Sequence, residues 1–145
     1  MINIDDLKER YKNIYGVEGC SVKVLREIEK VLETKLPTDF KEIANFYSGG
    51  LLGGISHYEI ASAEGASAIL QETLRLRKAV GINKDYVVLA EPPGSLIVMN
   101  VVSGVLWCDA NDAENINSKA FENEPDRWDC YASFFNYLLD REESE

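Results

Sequence analysis

Apolar and polar residues follow two different periods along this chain, and the change from one to the other divides it. Ile2, Ile4, Leu7, Tyr11, Ile14 and Tyr15 recur at a loose spacing of three to four, which predicts a first helix ended by Gly16 and Gly19. Val22, Leu25, Ile28, Val31 and Leu32 then mark one helical face, and Lys23, Arg26, Glu27, Glu29, Lys30 and Glu33 the other. Ser21 before them suits an N-cap, because its hydroxyl can accept from an N–H left free in the first turn. Leu36-Pro37 stops this helix, since proline disfavours helical geometry in the residue before it.

Pro37 opens a third predicted helix, where its missing N–H costs nothing, and Asp39 falls in the first turn near the positive end of the dipole. Phe40, Ile43, Ala44 and Tyr47 form its apolar stripe, and Gly49-Gly50 closes it. Residues 55–60 read as a weak first strand, followed by a small-residue connection over 61–66. Ser67 caps a fourth helix with Ile69, Leu70, Leu74, Ala79 and Val80 as its apolar positions and Gly81 as its stop. Arg75, Arg77 and Lys78 near its end favour the dipole and read as a solvated helix terminus.

From residue 86 the pattern turns extended. Runs over 86–90, 95–101 and 105–108 are separated by Glu91-Pro92-Pro93-Gly94 and Val102-Ser103-Gly104. Strands joined by such short turns must be antiparallel, because parallel neighbours need a crossover of a dozen residues or more. Residues 109–129 are polar and acidic, with Ile116, Phe121 and Trp128 as isolated apolar anchors. A last helix is predicted over 131–140, burying Tyr131, Phe134, Phe135 and Leu138, with a frayed tail over 141–145. The expected fold is α+β: a largely antiparallel sheet with N-terminal helices, one mid-chain helix and a C-terminal helix packed around it.

The chain has 145 residues, 46% of them hydrophobic and 10% aromatic, an ordinary globular composition of the size of one domain spanning 1–145. Its net charge of −10 disfavours nucleic acid and anionic membranes as partners, since both are held by clustered Lys and Arg, and fits a basic protein instead. No apolar run approaches the roughly 18–20 residues that span a bilayer, and the first residues lack the basic and apolar regions of a signal peptide. Cys20, Cys108 and Cys130 are scattered and odd in number, which suggests reduced thiols and a cytoplasmic location.

Catalytic and metal chemistry find little to build on. His57 is the one histidine, and adjacent Ser56 would point to the opposite face of a strand, so no catalytic residue is expected. The cysteines lack Cys-x-x-Cys spacing, so no metal or other cofactor is expected. Asp109-Ala110-Asn111-Asp112 opens like a calcium loop, but Glu114 stands where glycine is needed and Ala120 where the bidentate Glu belongs. The glycines over 49–54 lack the lysine and Ser/Thr of a phosphate loop.

The acidic segment is the feature with functional content. Residues 109–145 hold eleven acidic and three basic residues, a net of −8, leaving −2 for residues 1–108. Asp109, Asp112, Glu114, Glu122, Glu124, Asp126 and Asp129 are the candidate partner-binding residues, with Trp107 or Trp128 as aromatic anchor. Carboxylates presented together attract a basic cleft and accelerate encounter. A connection of about twenty residues also exceeds most loops of compact domains, which points to function.

Leu36-Pro37-Thr38-Asp39-Phe40-Lys41-Glu42, followed by Tyr47-Ser48-Gly49-Gly50, resembles the signature of the SUKH superfamily of SMI/KNR-like proteins. Phe40 stands for the usual Tyr and Ile43 for the usual Phe. The resemblance continues through Pro93-Gly94 and Gly104-Val105-Leu106-Trp107 and ends with Ser133-Phe134-Phe135-Asn136-Tyr137-Leu138, covering residues 21–140 and leaving 1–20 as an extra helix without assignment. It implies an α+β domain without catalysis. Bacterial members are immunity proteins that bind and block a cognate polymorphic toxin, often a nuclease. Fungal members regulate cell-wall synthesis through protein contacts. The motifs carry fold while the partner surface varies, so the candidate binding residues rest on charge alone.

Overall fold

The computed structural model describes residues 2–17, 19–61 and 66–144. In chain order they form α1 (Ile4–Lys12), α2 (Val22–Leu32), α3 (Thr38–Ile43), β1 (Gly50–Leu52), β2 (Ile55–His57), α4 (Ala68–Val80), β3 (Tyr86–Ala90), β4 (Ser95–Asn100) and β5 (Gly104–Asp109). A 3-10 helix (Ala110–Asn115), β6 (Asp126–Trp128) and α5 (Tyr131–Glu143) complete the fold. The class is α+β, with a β1-β2 hairpin and a four-stranded sheet in the order β3-β4-β5-β6, every pairing antiparallel.

Both faces of the larger sheet are covered, which is why β3 and β4 read as continuous apolar runs rather than alternating ones. Val87, Leu89, Ile97, Met99 and Val105 pack with α1, α2, α3 and α5. Tyr86, Val88, Leu96, Val98, Leu106 and Cys108 pack with Leu76, Ile82 and Ile116 on the opposite side. The first face carries an aromatic cluster, with Tyr11, Phe46 and Tyr47 all within 6.0 Å of the Phe135 ring, centroid to centroid.

The two sheet edges differ. The N–H of Val88 donates to Thr73 Oγ1 (2.9 Å) and the N–H of Tyr58 to the Leu89 carbonyl (3.0 Å), so α4 and the chain leaving β2 close the β3 edge. At β6 no such cover exists among the described residues.

Several local expectations hold for the physical reason given. Ser21 and Ser67 cap α2 and α4 through their hydroxyls, and Gly81 ends α4 in the left-handed conformation. Elsewhere the tertiary structure intervenes. α2 stops at Leu32, before proline can act, because Glu33 adopts φ 54°. Val22 and Val31 are exposed, and the buried face is Leu25, Ile28 and Leu32. Pro37 is the N-cap of α3 rather than its first residue, and α3 ends at Ile43. Gly49 and Gly50 therefore cap nothing. Gly53-Gly54 instead form the two-residue turn of a hairpin that pairs Leu52 with Ile55, both with positive φ (63° and 76°), as a twisted two-residue hairpin turn demands.

On α4 the buried residues are Ile69, Thr73 and Leu76, while Leu74 is exposed. Of the frayed tail expected at 141–145, residues 141–143 are instead the end of α5, held by Arg10, while residue 145 lies outside the described residues. Its guanidinium meets Asp140 and Glu143 at 2.7 Å each and donates to Asn136 Oδ1 at 2.7 Å. Most of the connection expected at 61–66 lies outside the described residues.

Candidate functional site

The acidic segment is built on β5, the 3-10 helix and β6. Asp112 is fully buried rather than part of a surface. Its Oδ1 accepts from the N–H of Glu122 (2.9 Å) and from Asn115 Nδ2 (3.0 Å), and its Oδ2 from the N–H of Asn123 (3.2 Å). These donors, the Glu122 N–H foremost, hold its carboxyl below the usual carboxylate range. Asp112 therefore leaves the candidate contact set. It folds the segment back on itself, so that Asn123 Nδ2 reaches Asp109 Oδ2 at 2.7 Å. Buried Ile116 anchors the turn, and Asn117 ties it to the end of α4, donating to the Gly81 carbonyl at 2.7 Å.

β6 then runs along β5 with Asp126 opposite Trp107, Arg127 opposite Leu106 and Trp128 opposite Val105. Alternation puts Trp107, Asp126 and Trp128 on one face. Both tryptophans are half-buried against the core, and Trp128 stacks edge-on to Phe134 (4.9 Å) and tilted to Tyr137 (5.0 Å). They form a floor beside the carboxylates rather than projecting anchors. On the other face Arg127 lies 5.7 Å above the Phe121 ring and 4.0 Å from Glu124.

Asp109, Glu114, Glu122, Glu124, Asp126 and Asp129 are exposed. Among the described residues only Glu124 of these six is in an ion pair. The fold gathers Asp109 and Glu122 through the Asp112 clamp, and Glu124 and Asp126 flank Pro125 at the start of β6. Asp129 follows β6. Glu114 sits on the 3-10 helix, and no hydrogen bond among the described residues joins it to the others.

His57 is buried between Tyr47 (6.4 Å) and Phe134 (6.0 Å), and Ser56 is exposed on the opposite face. Burial pushes the imidazole pKa down to about 4, against a hydrogen bond with the Leu52 backbone that favours the charged form. Its Nε2 and the Tyr47 hydroxyl have no hydrogen-bond partner among the described residues. No three His, Cys, Asp or Glu side chains converge there as a metal cage would require, again among the described residues. A groove of about 480 Å³ between α2 and α4 is lined by Val24, Ile28 and Leu70 with Lys23, Glu27 and Gln71 at its rim. No helix of the described residues is long and apolar enough to cross a membrane.

The sequence motif around Leu36 finds its structural meaning here. Leu36, Phe40, Ile43 and Tyr47 are core residues, and Asp39 accepts from the N–H of Ala132 in the first turn of α5. The SUKH_5 family model, described as SMI1-KNR4 cell-wall, matches residues 3–123. The chain belongs to this family. No curated protein matches it. The SUKH_5 match takes in α1, which the motif resemblance left unassigned, and stops before β6 and α5. Sequence reasoning missed the clamping role of Asp112 and the hairpin over 50–57. An aspartate three residues before an asparagine on a short helix was the one available sign of the clamp.

Proposed function

We propose that this SUKH_5 protein is a non-enzymatic binding protein of the cytosol, an immunity protein that neutralises a cognate toxin domain by stoichiometric contact through the acidic end of its sheet. The observation that carries this reading is the set of exposed carboxylates, Asp109, Glu122, Asp126 and Asp129, free of ion pairs among the described residues, with Asp126 paired opposite half-buried Trp107 and Asp129 following half-buried Trp128. Unpaired carboxylates are available to a basic cleft such as a nuclease uses for phosphates. Their field raises association rates toward ~10⁸–10⁹ M⁻¹s⁻¹ at low salt. Tightness would come from the desolvated apolar centre, where Trp107 and Trp128 already lie.

Co-expression with the toxin domain of the adjoining reading frame tests this. The protein should restore growth and co-purify with the toxin, and Glu122→Lys with Glu124→Lys and Asp126→Lys should abolish both. Rescue that survives this triple reversal would refute the acidic surface. A second reading, favoured by the cell-wall description of the family, is a regulatory scaffold that binds cellular proteins; such a protein would give no rescue.

A further inference from the structure

We infer that the open β6 edge holds its partner by taking an extended, cationic segment as a fifth strand of the sheet. This rests on the reading of the acidic end as a protein-binding surface and adds the manner of holding.

The ladder fixes which backbone groups face outward. The N–H of Val101 donates to the Asp85 carbonyl at 2.8 Å, so odd-numbered residues at this end of β4 turn toward β3, and Leu96, Val98 and Asn100 turn toward β5. Their partners Cys108, Leu106 and Gly104 face back to β4, which leaves Val105 and Trp107 to bond Trp128 and Asp126. Arg127 is then the β6 residue whose N–H and C=O both point away from the sheet. The same parity turns Val88 outward on β3, and there its N–H does meet Thr73 Oγ1. At Arg127, among the described residues, neither backbone group has a partner.

The surrounding charge selects the occupant. An open edge can pair with any chain, and natural sheets blunt this with short strands and charges. Here the blunting has one sign. Glu122, Glu124, Asp126 and Asp129 bracket the edge, and the one cation among them, Arg127, is already engaged by Glu124 and the Phe121 ring. A second copy of β6 would set these carboxylates against one another. A strand carrying Lys or Arg would meet Asp126 and lay its aliphatic stems over Trp107 and Trp128, while main-chain bonds to Arg127 fix its register.

The probe is the peptide Lys-Val-Lys-Val-Lys-Val-Lys, with an alternately N-methylated version as control, at low salt. Binding is followed by the fluorescence of Trp107 and Trp128, the chain's two tryptophans, and by amide hydrogen exchange. Saturating peptide should slow exchange at the Arg127 amide at least about tenfold, and N-methylation should abolish this. Arg127→Pro removes the outward N–H without removing a bond to β5, and should lose binding. Arg127→Ala removes the same charge, keeps the N–H, and should bind at least as well as the parent. Protection of the Trp107 amide reports that the sheet is intact in either variant. No binding, or binding with Arg127 exchanging as in the free protein, overturns strand addition. If the toxin is still neutralised and still lost on charge reversal, acidic docking stands without it.

Discussion

Asp39 Oδ2 accepts the backbone N–H of Ala132 at 2.8 Å across 93 positions of sequence, so the N-terminus of α5 is capped by the helix it packs against. Cys130, the formal N-cap of α5, makes no side-chain cap bond. The same carboxylate accepts its own helix's Phe40 N–H through Oδ1 at 2.8 Å. One side chain thus serves the first turns of α3 and α5, and through α5 it sets the Phe134 and Tyr137 rings that support Trp128.

Replacing this cap should therefore be felt at a distance. Asp39→Ala should lose about 1–2 kcal/mol of unfolding free energy in urea titration. Asp39→Asn, which keeps an acceptor, should lose less. Equal losses in the two variants would mean that the hydrogen bond to Ala132 is not what matters.

Asp112 should control the shape of the acidic segment more than its charge. Asp112→Ala should accelerate amide exchange at Glu122 and Asn123 and lower the melting temperature by a few degrees, although the residue touches no solvent. Because its folded carboxyl lies below the ordinary range, its contribution is present above the unfolded value and fades as pH falls through the folded one. Glu114→Ala, exposed on the same 3-10 helix, should leave exchange at both amides unchanged.

His57 gives a second acid-sensitive contribution in a higher window. The imidazole is held neutral, with a pKa of about 4 against 6.5 in the unfolded chain, so the unfolded state binds the proton first. Stability from this group is full above pH 6.5 and is lost as pH falls toward 4, by about 2 kcal/mol between pH 7.5 and 5. His57→Phe should flatten that part of the urea-derived profile. A variant with the parent's slope above pH 5 would locate the acid sensitivity elsewhere.

Arg10 should hold down the end of α5. Its three partners Asn136, Asp140 and Glu143 lie on that helix, and the side chains of the two acids are 62% and 44% exposed, so the loss on Arg10→Ala should stay at about 1 kcal/mol. Exchange should quicken in the last turn of α5 and not before Leu138. Arg10→Lys should not restore it, since a lysine cannot fork to several acceptors at fixed geometry.

Much of the fold is legible because its signals are local. Ser21 and Ser67 as caps, Gly81 as a stop and the apolar runs of β3 to β5 each follow from a few neighbouring residues. The misjudged faces of α2 and α4 have one cause. Periodicity marks every apolar residue alike, while the structure buries Leu25, Ile28 and Leu32 and leaves Val22 and Val31 outside. The short hairpin was hidden because three-residue strands carry almost no pattern, and its glycines read equally well as a helix stop.

The acidic segment divides in the same way. That its carboxylates outnumber cations is written in the order of residues, as are helix caps, strand alternation and the hydrophobic order that gives an antiparallel α+β arrangement. Which carboxylates face solvent is not. Asp109 and Asp112 look alike in the chain, yet one stands at a strand end and the other lies fully buried, accepting three N–H donors, two of them ten and eleven residues further on. Local propensity acts between neighbours a turn apart, whereas burial, the closed β3 edge and the open β6 edge arise from contacts between distant segments that exist once the chain has collapsed.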